Sequence, residues 1–121
     1  MKLIACIADN NGILFNNRRV SRDTVVIQDI IDNTPELCLS DYSAKLFDGY
    51  EIKSSNEPYL FLEEDLKDSD DITEVILYRW NRDYPADVFF NINLRKFTLT
   101  DTREFAGKSH EKVTREVWIR K

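Results

Sequence analysis

The stretch that decides the fold is "KLIACIADNNG", residues 2–12. Lys2 leads into an unbroken apolar run, residues 3–8, which stops at "DNNG". A short continuous apolar run closed by turn residues is the pattern of a central strand covered on both faces. The chain then turns polar: "ILFNNRRVSRD", residues 13–23, carries Arg18, Arg19 and Arg22 and reads as a loop. From Ser21 the spacing changes again. "SRDTVVIQDIIDNT" (21–34) predicts a helix with Ser21 as N-cap and Asp23 in the first turn. Val26, Ile27, Ile30 and Ile31 fall on one face of that helix.

Further along, "ELCLS" (36–40) reads as a short strand. "DYSAKLFDG" (41–49) reads as a short helix capped by Asp41 or Ser43 and ended by Gly49. "EPYLFLEE" (57–64) is another apolar strand, and "DLKDSDD" (65–71) an acidic connection. After that no helical spacing remains. "ITEVILYRW" (72–80), "ADVFF" (86–90), "KFTLTDTREF" (96–105) and "KVTREVWIRK" (112–121) are all strand-like. The order β-α-β-α-β followed by antiparallel strands predicts an α/β fold with a single mixed sheet of about five to seven strands and two or so helices. With 121 residues and no linker or repeat, a single domain over 1–121 is expected.

Composition narrows the function classes. The chain is 42% hydrophobic with two Trp, seven Phe and five Tyr, enough to fill a core and too much for a disordered tail. A net charge of −5 disfavours duplex nucleic acid, whose phosphates are bound by lysine and arginine, and is compatible with a basic protein partner or with no specific partner. The start lacks the pattern of a secretion signal, and no window approaches the length of a membrane span, so a cytoplasmic protein is expected. Cys6 and Cys38 lie in apolar runs and read as buried, reduced thiols.

Most catalytic motifs are missing. There is no G-x-x-x-x-G-K-S/T loop, no G-x-G-x-x-G and no G-x-S-x-G elbow. One histidine, His110, is too few for a zinc hydrolase, and the acidic run lacks the glycine of a calcium loop. Neither cysteine has a neighbouring histidine to activate it.

Three segments carry a resemblance. "LIACIADNNGI" resembles the first strand of the dihydrofolate reductase family and the loop that closes over its substrate. "EVILYRWNRDYPADVFFNINLRKFTLTDTREF" resembles that family's late strand, long loop, "GD-T-F-F" turn and "W-x-L-V" strand. "VTREVWIRK" resembles its final strand, usually of "F-E-V-Y" type. The phrases "SRD", "WNR-YPAD" and "EFAG-SHEK" also resemble those of short uncharacterised bacterial proteins, from which no activity carries over. The resemblance implies a reduced version of the fold, about one βαβ unit short between "KLFDG" and "EPYLFLEE". It implies a sheet with "LIACIA" central, "YLFLEE" and "VILYRW" on its two sides, "ELCLS" beyond "YLFLEE", and the two C-terminal strands extending the other side.

The resemblance also marks departures. The family's Gly-Gly pair, which lets a strand end approach the cofactor diphosphate, corresponds to Glu63–Glu64. The family's "G-R-K/H-T" turn corresponds to "SDYSA", with Asp41 in place of the arginine. Asp23 falls near the family's substrate carboxylate, but "L-P-W" is absent and "RRVSR" stands there. Tyr78 replaces a threonine that supports the pterin, and its ring is expected to fill part of the pocket. No cofactor is therefore expected.

By the same resemblance three loops meet at one end of the sheet, gathering Arg18, Arg19, Arg22, Asp23, Asn81, Arg82, Tyr84, Asp87, His110, Glu111 and Lys112. Two readings stay open. One is a recognition surface; the other is a structural network in which the arginines pair with Asp23 and Asp87. A loop histidine such as His110 is ordinarily exposed. The function expected is that of a non-catalytic binding protein, of the immunity or antitoxin type that inhibits a basic protein. The alternatives are a residual pterin or nucleotide enzyme, or a metal-independent ribonuclease using His110 and Glu111. A homodimer through the edge left by the missing unit is a further expectation.

Overall fold

A computed structural model describes residues 1–52 and 58–121. Strand β1 (Lys2–Ile7) is indeed central: it pairs in parallel with β5 (Tyr59–Phe61) on one side and β6 (Glu74–Arg79) on the other. The full order is β4-β5-β1-β6-β9-β8, with β4 (Leu37–Cys38) at one edge, and β9 (Val113–Arg120) and β8 (Phe97–Phe105) antiparallel at the other. This is the strand order that the resemblance implies.

Alternation along β1 explains its apolar run. Ile4 packs with Val26, Ile27, Ile30 and Tyr78 on one face of the sheet, while Leu3, Ala5 and Ile7 pack with Ile13, Leu77 and Phe90 on the other. The first face is covered by α1 (Thr24–Asn33), and the second by a small separate sheet. That sheet is a correction to the sequence reading. The polar stretch after β1 is a hairpin, β2 (Gly12–Phe15) and β3 (Arg18–Arg19), and β7 (Val88–Phe89) pairs with β2 instead of joining the main sheet. Asn16 and Asn17 form its two-residue turn with φ of 50° and 63°, the left-handed pair a type I′ turn requires.

Both helix caps shift from their sequence positions. Asp23, not Ser21, caps α1: its Oδ1 accepts the Val25 N–H at 2.9 Å. Ser40, not Asp41 or Ser43, caps α2 (Asp41–Leu46), accepting the Ser43 N–H. In each case the residue immediately before the first helical turn wins, because only a cap with extended backbone can fold its side chain back onto the free N–H groups. Cys38 is exposed and Cys6 half-buried, and both are free thiols, so the buried pair expected from the sequence is not found. Cys38 sits at the edge strand, where one side chain in two faces outward. No described helix is long and apolar enough to cross a membrane.

Candidate functional site

The three loops do meet. Strands β1, β6 and β8 end at the same side of the sheet, the usual place for a site in open α/β folds. Asp9 N–H donates to Arg82 O, Asn10 Nδ2 to Tyr84 O, and Arg82 Nη2 to Ser109 O. Asn81, in left-handed backbone, donates to Lys112 O and to Thr114 Oγ1.

At the centre lies a buried pair, Asp23 and His110, each 3% exposed. His110 Nδ1 is 2.9 Å from Asp23 Oδ2. The same carboxylate accepts backbone N–H groups of Val25, Lys108 and Ser109, and the Ser109 hydroxyl. Burial pushes the Asp23 carboxyl up, but the His110 bond and the three backbone donors outweigh it and hold the group well below the usual carboxylate range. Gly107 allows the loop to come this close: a Cβ there would lie 2.6 Å from Asp23 Oδ2. On its other side His110 Nε2 contacts Ser21 Oγ at 2.9 Å and Tyr84 OH at 3.0 Å, and the ring stacks on Trp80. The expectation of an exposed loop histidine is therefore overturned; Trp80 and Asp23, distant in sequence, bury it.

The arginines divide. Arg19 pairs with Glu63, its Nε 2.8 Å from Oε2 and its Nη2 3.0 Å from Oε1. Ser43 Oγ donates to the same carboxylate at 2.8 Å, and the Tyr42 ring lies under the guanidinium at 4.5 Å. The expected pairing of arginines with Asp23 and Asp87 does not occur, because Asp23 is consumed by His110 and Asp87 accepts the Asn16 N–H. Arg18 and Arg22 are exposed, and their side chains make no hydrogen bond or ion pair among the described residues; Glu111 is exposed. The Lys112 ammonium pairs with Glu104 at the surface. The residues that sequence reasoning missed are Ser21, Ser43, Trp80, Gly107 and Ser109. The sequence marks Ser21 and Ser43 only as helix caps, and Gly107, one of three glycines, is the remaining signal.

Between α1 and the ends of β1, β5 and β6 a narrow cavity of about 20 Å³ remains, lined by Asp23, Val26, Phe61, Glu63 and Trp80. That is room for about one water, not for a bicyclic ring. Trp80 Nε1, at its wall, has no hydrogen-bond partner among the described residues. Tyr78 is fully buried, and its hydroxyl donates to Asp29 at 2.7 Å. Among the described residues no group of three or more His, Cys, Asp or Glu side chains is placed to hold a metal ion.

No family model and no curated protein matches the chain. Among solved structures it is similar to dihydrofolate reductase from Enterococcus faecalis, complexed with NADP(H) and RAB-propyl. The TM-score is 0.67 at 9% identity, over 98% of this chain and 95% of that one. The chain therefore has a dihydrofolate-reductase-like α/β fold, and at this identity the likeness is one of fold. Its own residues do not fit a diphosphate at the end of β5. Glu63 stands there with Glu64 beside it, and the cation at hand, Arg19, is already neutralised by Glu63.

Proposed function

We propose that the protein acts by binding a protein partner, not by catalysis, on a reductase-like scaffold whose cleft is closed by its own side chains. One observation carries the reading: Arg19, Glu63 and Ser43 satisfy one another at the strand end where a cofactor would need open cations and bare backbone. The finer form is an inhibitor of the immunity or antitoxin type that covers a basic surface. The net charge of −5 and the exposed carboxylates Glu64, Asp70 and Asp71 support it. Co-purification and calorimetry with proteins encoded beside this one test it, and saturable binding to a basic neighbour is the expected result. Thermal-shift titration with NADPH, folates and nucleotides is the counter-test; a rise of several degrees with NADPH overturns the reading.

A second reading has a specific observation behind it. The chain Ser21 Oγ–His110 Nε2, His110 Nδ1–Asp23 Oδ2 has the hydrogen-bond order of a nucleophile–base–carboxylate relay. Against it, His110 is almost wholly buried and Asp23 is occupied by backbone donors, so neither is free to serve an RNA or a pterin. Ribonuclease activity that survives purification and disappears in His110→Ala, with the fold retained, would reverse this choice.

A further inference from the structure

The outer side of the β2–β3 hairpin borders a second hollow, open to solvent and about 540 Å³ in volume. That is the size of a small-molecule site. Phe15, Tyr84 and Pro85 supply its apolar walls, and two arginines but no carboxylate line it. A neighbouring carboxylate, Asp87, is engaged by the Asn16 N–H. Arg19 is spent on Glu63, which leaves Arg18 as the open guanidinium.

The hairpin fixes the geometry. Phe15 and Arg18 are cross-strand partners on either side of the Asn16–Asn17 turn, so their side chains stand next to each other. Phe15 is 41% exposed, so its ring is open to a ligand beside the Arg18 guanidinium. Opposite, the Tyr84 hydroxyl is tied to His110 and Ser21, which holds its ring in place before any ligand arrives. A guanidinium fork matches the paired oxygens of a phosphate or carboxylate, and flanking rings take a flat apolar body.

We propose that this groove binds a small aryl oxyanion, with the charged oxygens on Arg18 and the ring between Phe15 and the Tyr84–Pro85 wall. The site is separate from the protein-binding reading above and does not rest on it. Phenyl phosphate, benzoate and inorganic phosphate are the probes, followed by calorimetry and by chemical-shift changes on the purified protein alone. Saturable binding of phenyl phosphate or benzoate in the millimolar range or tighter is expected, and which of the two binds better identifies the oxyanion. Affinity should fall at least about tenfold in Arg18→Ala. Phe15→Ala should weaken it as well; both residues are exposed, so both variants should fold. No saturation by either aryl anion, unchanged affinity in Arg18→Ala, or equal affinity for inorganic phosphate overturns the proposal.

Discussion

Asp23 joins three parts of the chain through one carboxylate: it caps α1, receives the Lys108 and Ser109 amides, and holds His110. A group held ionised this strongly in the folded state makes stability depend on pH. Its contribution is complete above the ordinary carboxylate pKa of about 4, and is lost as pH falls below that toward the depressed folded value. Asp23→Asn should therefore cost about 3 kcal/mol at neutral pH and flatten the loss of stability below about pH 4, read from urea unfolding at a series of pH values. Gly107→Ala tests the same junction from the other side. Its Cβ would lie 2.6 Å from the carboxylate, so a drop on the order of 2 kcal/mol is expected in the same assay. Sequence alone marks Asp23 as a helix-opening carboxylate and His110 as a loop residue; their pairing spans 87 positions and follows only from the fold.

At the scale of elements, Arg19–Glu63 links hairpin strand β3 to the end of β5, and Ser43 brings in α2. Removing one partner should cost more than removing both. Glu63→Ala leaves a mostly buried guanidinium unpaired and should lower stability by about 1–3 kcal/mol, whereas the double variant Arg19→Met with Glu63→Leu should lose less than the single change. A double-mutant cycle by chemical denaturation measures the difference. The elements themselves were legible to differing degrees. β1 and β6 declare themselves by unbroken apolar runs, and α1 by Val26, Ile27 and Ile30. The β2–β3 hairpin did not, because "GILF" is only four residues long and the Asn16–Asn17 turn sits among arginines that read as loop. Glu63 was legible as an obstacle to a diphosphate but not as the partner of Arg19, since nothing local connects β5 with a hairpin that far back in the chain.

Over the whole molecule, the mixed sheet sets the arrangement that matters: parallel strands β5, β1 and β6 end together, and the β8–β9 loop returns to the same side. The strand order followed from the resemblance at the two ends of the chain. The state of the cleft did not, because closure depends on which side chains reach one another once the strands are placed. With the cavity reduced to about 20 Å³, the melting temperature should be unmoved by NADPH or folate at concentrations that saturate a reductase, as differential scanning fluorimetry would register.

The Glu63 carboxylate has one more consequence. An enzyme steadied by a dissociable cofactor is only as robust as its supply: stabilisation grows with the logarithm of free ligand and vanishes on dialysis. Here the anion that meets Arg19 and Ser43 is covalently part of the chain, so its local concentration is fixed by connectivity. Dilution, starvation and competition for a shared metabolite leave it in place. The junction of hairpin, β5 and α2 is thus held by an occupant that cannot dissociate.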